Sequence, residues 1–135
     1  MPASDSAQSK LEKIAQDHEA VLEEMTVEFN KKLEAYKKAL EAGTLSDLAR
    51  ASKEAELEDL QNRIQVFEQT AQQDLQQKRV EFFTPVQESA LNAVNAVAAE
   101  NGFTYIFDTG MGGVVYTSPE SEDILPLVKQ KLGLQ

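Results

Sequence analysis

The Asp-Thr-Gly motif at residues 108–110 is the first candidate for chemistry in this sequence. It follows the apolar run at 105–107, and an aspartate in this setting is the catalytic group of aspartic proteases. Such an enzyme needs two aspartates that share a proton, each held by a β-barrel lobe. Only residues 85–135 lie outside the coiled coil predicted below, fewer than the roughly 100 of an ordinary domain. The motif is therefore interpreted as a turn in which the Asp and Thr side chains form hydrogen bonds with nearby backbone groups and Gly takes a positive φ.

Two other patterns suggest chemistry more weakly. The glycine-rich "GMGG" at 110–113 matches no nucleotide fingerprint, and a predicted strand follows it where a phosphate site would need a helix. His18 is the single histidine, and without cysteine a metal site would have to rely on carboxylates. We interpret His18 as a polar residue in a helical seam. The sequence predicts no catalytic residue, no metal, no cofactor and no enzymatic activity.

The amino-acid composition argues against several kinds of partner and stabilising bond. The chain has 13 basic and 23 acidic residues, a net charge of -10, which argues against nucleic acid as a partner. The absence of cysteine excludes disulfides and thiolate zinc sites. No apolar run approaches the roughly 20 residues that span a bilayer. The first ten residues lack a secretory signal, so the protein is cytosolic or a signal peptide preceded this numbering.

The first 84 residues have the pattern of two long helices. Residues 5–42 contain no glycine or proline, and Gly43 suits a left-handed helix end. Thr44 and Asp47 have the spacing of a capping box for a second helix. Both helices carry a heptad seam with one slip, and a short loop requires them to run antiparallel. The predicted seam positions are Leu11, Ile14, His18, Val21, Met25, Phe29, Leu33, Tyr36 and Leu40, and then Leu57, Leu60, Ile64, Phe67, Ala71, Leu75, Lys78 and Phe82.

Residues 85–135 are predicted to form a small α/β body. Pro85 predicts a kink or break near 83–84, with a further helical segment up to Glu100. "FTYIFD" and "VVYT" are strand-like and are separated by "TGMGG", which predicts a β-hairpin. A last short helix is expected from Pro126 to just before Gly133. The predicted fold is mainly α (α+β), with a coiled-coil hairpin at 1–84, its tip at about 41–47, and a body at 85–135.

The body has more apolar surface than its few elements can cover. A lone two-stranded hairpin is marginally stable in water, and its free edges favour pairing with another chain. We therefore expect the body to oligomerise. The residues expected to build this oligomerisation surface are Phe103, Tyr105, Ile106, Phe107, Val114, Val115 and Tyr116.

The hairpin tip has the opposite charge to the rest of the chain. Residues 31–53 contain six basic and three acidic residues, a net charge of +3, while the remainder has a net charge of -13. A basic tip can be attracted to anionic lipid or to an acidic polypeptide. The alternative, that lysines at a helix end serve solubility and the helix dipole, stays open. The basic residues concerned are Lys31, Lys32, Lys37, Lys38, Arg50 and Lys53.

The assembled features resemble the Skp/OmpH family of periplasmic outer-membrane-protein chaperones. The specific part is "AENGFTYIFD" at 99–108, followed by the glycine loop, "VVY" at 114–116 and a terminal helix ending in "KLG". The hairpin segment "LQNRIQVFEQTAQQDLQQKR" is also similar to the family. The resemblance implies a homotrimer whose joined bodies project three helical tentacles around a cavity. It also implies ATP-independent holding of unfolded outer-membrane β-barrel proteins in the periplasm, with the tip lysines facing client or membrane.

The sequence departs from the family pattern in its charge and at its N-terminus. The best-known members are strongly basic, whereas this chain has a sequence pI of about 4.5. Family members begin with a short strand that joins the body sheet, and "MPASD" stands about where that strand should already have ended. A truncated or misassigned start would explain both the missing strand and the missing signal peptide, whereas a true absence of the strand would leave the body without a sheet partner. The competing hypothesis is a structural coiled-coil adaptor whose seams bind one defined helical partner.

Overall fold

A computed structural model describes residues 2–134 and shows three helices. They are α1 (Pro2–Glu41), α2 (Asp47–Asn101) and α3 (Leu125–Lys131). The described residues form two compact units, one of Ser6–Val80 and one that combines the described residues up to Asp5 with those from Glu81 onward. The protein is therefore mainly helical, with long helices as the sequence predicts.

Within the first unit, α1 and α2 run antiparallel. Lys32 pairs with Glu56, Tyr36 with Glu54 and His18 with Asp74, so that residue numbers rise along one helix as they fall along the other. This register is that of a helical hairpin, and it agrees with the antiparallel arrangement expected from the short loop.

The seam of the hairpin follows the predicted heptads with a local difference on α1. All eight predicted seam positions of α2 are buried or half-buried, and Leu60 is only 3% exposed. On α1, Val21 and Leu40 are exposed instead of buried, whereas the neighbouring Leu22 and Ala39 are half-buried. Because a straight helix drifts relative to a strict seven-residue repeat, Leu22 and Ala39 take the seam positions predicted for Val21 and Leu40.

The turn between α1 and α2 uses a glycine and a serine. Gly43 has a φ of 63°, and the Thr44 N–H donates to the Ala39 carbonyl at 3.2 Å, which closes α1 with a Schellman motif. The cap of α2 is Ser46, whose Oγ accepts the Ala49 N–H at 3.2 Å. The predicted Thr44–Asp47 capping box is wrong, because the Thr44 hydroxyl instead donates to the Ala39 carbonyl at the end of α1.

Pro85 lies inside α2, and the predicted break at 83–84 does not occur. A proline within a helix removes one backbone hydrogen bond and clashes with the preceding turn, at a cost of about 3 kcal/mol. The packing of the last α2 turns on α3 favours the continuous helix and counters that cost. The helix ends at Asn101, one residue beyond the expected Glu100, and Gly102 follows with a left-handed φ of 72°.

The second unit has a small apolar core at the end of α2. Ala93 and Val97 of α2 and Val128 of α3 are buried together, with four half-buried apolar residues around them. The terminal helix begins one residue before the expected Pro126 and ends before Gly133, as predicted. This core fixes α3 against α2, and it contains none of the aromatic residues of the body.

The predicted β-hairpin does not form, and this is the main difference between the sequence-based prediction and the structure. No strand forms anywhere in residues 2–134, and the predicted strand segments 103–108 and 114–117 are irregular. The rings of Tyr105 and Phe107 still lie near each other, with centroids 6.3 Å apart. A strand pair exposed on both faces is marginally stable in a single chain, which accounts for the absence of hydrogen-bonded strands here.

Candidate interaction surfaces

The segment between α2 and α3 presents large apolar side chains to solvent. Tyr105, Phe107 and Tyr116 are 77%, 73% and 77% exposed, and Val115 is 99% exposed. Ile106 is 37% exposed, while Phe103 and Val114 are half-buried. The structure thus places the seven predicted oligomerisation residues in one connecting segment, and most of their apolar surface is uncovered.

The same segment encloses a shallow cavity of about 530 Å³. Its wall is mixed, with aromatic side chains facing the polar groups of the loop that leads into α3. The cavity is lined by Phe103, Tyr105, Ile106, Phe107, Thr109, Val114, Tyr116, Thr117, Ser118, Ser121, Glu122, Asp123 and Ile124. Exposed apolar patches of this kind on a protein surface often mark interaction sites.

Asp108 occupies a turn next to this surface. Its Oδ1 accepts the Gly110 N–H at 2.7 Å, as the interpretation of Asp-Thr-Gly as a turn predicts. The left-handed glycine is Gly112, with a φ of 72°, instead of Gly110. The carboxylate is exposed and its hydrogen bond is local, so it shapes the loop.

The hairpin tip carries a network of ion pairs and hydrogen bonds within and between α1 and α2. Lys32 contacts Glu56 and lies 3.5 Å from Glu28, while Glu54 accepts the Tyr36 hydroxyl and the Arg50 Nε–H. Hydrogen bonds from Tyr36 and Arg50 hold the pKa of Glu54 below its usual value, and the Lys32 ammonium does the same for Glu56. The Glu56 hydrogen bond raises the pKa of Lys32.

This network reduces the positive charge of the predicted basic tip. Three of the six basic residues form ion pairs, Lys32 and Arg50 as described and Lys38 with Glu34 at 3.8 Å. Lys31, Lys37 and Lys53 are exposed. Counting charges over residues 31–53 missed Glu28, Glu54 and Glu56, which lie outside that window in sequence but at the tip in space. The i,i+4 spacing of Glu28 with Lys32 and of Glu54 with Arg50, and the antiparallel register for Glu56 with Lys32, were the signals that could have found them.

His18 lies in the seam, as its spacing predicts. Its Nε2 is 3.3 Å from Asp74 Oδ2, and its ring meets Phe67 edge to face at 6.1 Å. The Nδ1 atom is buried and has no hydrogen-bond partner. Because this histidine contacts one carboxylate and one aromatic ring, it joins α1 to α2.

Together these features define a helical hairpin protein with an exposed apolar segment. The model of the OmpH-like outer membrane protein family matches residues 1–132, and the chain belongs to that family. This is a chaperone family and is not known as enzymatic. The family is periplasmic and binds outer membrane proteins in general. No individual curated protein matches the chain. Within residues 2–134, no helix is both long enough and apolar enough to cross a bilayer.

Proposed function

We propose that the protein is an ATP-independent periplasmic holdase that keeps unfolded outer-membrane β-barrel proteins from aggregating. The observation that carries this proposal is the uncovered apolar segment at 103–116 in a member of a chaperone family. Burying it between copies would give a homotrimer, with residues 85–135 as the joined bodies and residues 1–84 as the projecting tentacles. Clients would be held in the cavity between them by many weak contacts.

The tip has a secondary role in this proposal. The exposed Lys31, Lys37 and Lys53 would face client or an anionic membrane, each basic residue contributing on the order of 1 kcal/mol near a charged surface. The ion pairs described above leave only part of the tip charge for that contact. Membrane attraction is therefore expected to be weak and sensitive to salt.

The test has two measurements on the same preparation. Light scattering at micromolar concentration should give the mass of a trimer, and a monomer would remove the cage mechanism. A urea-denatured β-barrel protein diluted into buffer should remain soluble when one trimer is present per client. If the protein bound one defined helical partner and left every denatured client to aggregate, the coiled-coil adaptor hypothesis would replace this one.

A further inference from the structure

The outward side of α2 has a long stripe without charge. Its positions are spaced 4-3-4-3-4, which places them on one face of the helix, opposite the seam. Every one of them is exposed, and the stripe extends over about 27 Å at 1.5 Å per residue. This neutral stripe consists of Asn62, Val66, Gln69, Gln73, Gln76 and Val80.

The outward side of α1 in the same unit is different. There the corresponding line includes Lys13, Glu23, Lys31 and Glu34, as is usual for a hydrated helix in a chain with 27% charged residues. The charges of α2 near the stripe, Arg63 and Arg79 among them, lie outside its line. Pairing of the two helices does not require a neutral outer face, because α1 packs on the opposite side of α2.

The middle of the neutral stripe borders a groove that suits a polypeptide backbone. The groove has a volume of about 560 Å³ and is lined by Gln69, Gln72, Gln73, Leu75 and Gln76. Each glutamine amide offers two donors and an acceptor, which can match the N–H and C=O groups of an extended chain. A face without charge accepts such a chain whatever the sign of the chain's own charge.

We propose that the neutral stripe binds extended segments of unfolded polypeptide through backbone hydrogen bonds from its glutamines. Val66 and Val80, which are 61% and 66% exposed, would contact apolar side chains of the same segment. A second copy of this helix is a poorer fit, because a helix satisfies its own backbone and needs an apolar seam from its partner. This inference rests on the proposed holdase function and names the surface that performs it.

The experiment adds three carboxylates to the stripe. The variant Gln69→Glu, Gln73→Glu, Gln76→Glu keeps helix-forming side chains of the same length but replaces each amide donor with an acceptor that carries charge. The matched control is Gln16→Glu, Ala20→Glu, Val27→Glu on the outward side of α1, where all three residues are exposed. Circular dichroism should show unchanged helicity in both variants.

The readout is the apparent Kd for a urea-denatured β-barrel protein. We expect the stripe variant to bind about tenfold more weakly and the control to stay within about twofold of the wild type. Equal loss in both variants, or none in the stripe variant, overturns the inference while leaving the holdase function standing. If the wild type holds no client, the proposed function itself fails.

Two further experiments distinguish client binding at the neutral stripe from client binding at other surfaces. Because the stripe has no charge, wild-type binding should survive a rise in ionic strength that screens the tip lysines. A photoreactive residue at Gln73 should cross-link to client, whereas one at Gln16 should not. Cross-links at Gln73 that join two copies of the chain in the absence of client would overturn the inference in favour of a helix–helix interface.

Discussion

Asp108 and His18 are of types that can act in catalysis, but in this molecule their contacts are structural. The Asp108 carboxylate accepts one backbone N–H two residues ahead, and His18 spans the helical seam to Asp74 and Phe67. Asp108 contacts the backbone of its own turn, and His18 contacts side chains of the neighbouring helix. Both residues are therefore expected to be replaceable in the protein's activity, with effects confined to stability.

Asp108→Asn should leave both client holding and thermal stability unchanged. The asparagine Oδ1 can accept the same Gly110 N–H, so the turn is retained. Aggregation of a denatured client, measured by light scattering, checks the first expectation, and the melting temperature checks the second. A loss of holding with an unchanged melting temperature would show that the charge of Asp108 acts directly.

His18→Leu should stabilise the hairpin by about 1 kcal/mol. The substitution removes a buried nitrogen without a partner and adds apolar contact in the seam, while Asp74 is open enough to be hydrated. Thermal or urea unfolding measures the change. Phe67→Ala serves as the control in the same contact and should destabilise by about 2 kcal/mol. Destabilisation by His18→Leu would mean that the pair with Asp74 is worth more than apolar packing.

At the scale of elements, α2 combines an internal proline with a polar network at its other end. The helix extends for 55 residues through Pro85, and near its beginning Glu54 and Glu56 pair with side chains of α1. The first feature lowers the stability of the helix and the second joins the two helices at the tip. Both can be tested by changes that leave the seam intact.

Pro85→Ala should raise the free energy of unfolding by about 2–3 kcal/mol. Alanine restores the N–H that a continuous helix uses and removes the clash of the ring with the preceding turn. Urea unfolding followed by circular dichroism measures the change, and Thr84→Ala is a neighbouring exposed control expected to have a small effect. An unchanged stability of Pro85→Ala would indicate that the helix is interrupted at this residue in solution.

The carboxylates at the tip should make the hairpin sensitive to acid. The pKa values of Glu54 and Glu56 are lowered in the folded state, so their contribution exists above the ordinary value of 4.5 and is lost as pH falls through the lowered values. Both groups are exposed, and the effect is therefore small. Glu54→Gln with Glu56→Gln should lower the melting temperature slightly at neutral pH. That difference should shrink as pH falls below 4.5 and vanish once pH is below the lowered values, and a difference that persists in stronger acid would exclude this ionic origin.

At the scale of the whole molecule, the described residues bury little of their apolar surface. Five apolar residues are buried below a tenth of their surface, while large side chains of the segment at 103–116 remain in solvent. A chain of this kind lowers its free energy when copies cover the exposed segment. Self-association is therefore the property of the whole molecule that the proposed function most needs.

Val115→Asp should reduce the proposed trimer to a monomer without loss of helix. Val115 is 99% exposed in the single chain, so a charge there costs little until a second copy covers it. Light scattering gives the mass and circular dichroism the helicity. Met111→Asp, at a residue 84% exposed but outside the predicted surface, is the matched control and should leave the mass unchanged. A trimeric Val115→Asp would place the interface elsewhere.

The sequence by itself determined the helices, their antiparallel pairing and most of the seam, because periodicity and glycine caps act over a few residues. Only the tertiary structure decided that α2 continues through Pro85, since packing at Ala93 and Val97 offsets a local penalty. It also decided that Glu54 and Glu56 pair with residues of α1, which a count along the chain could not find. The strands at 103–108 and 114–117 were predicted from side-chain types, but a strand exists only with a hydrogen-bonded neighbour, and the single chain supplies none among its described residues.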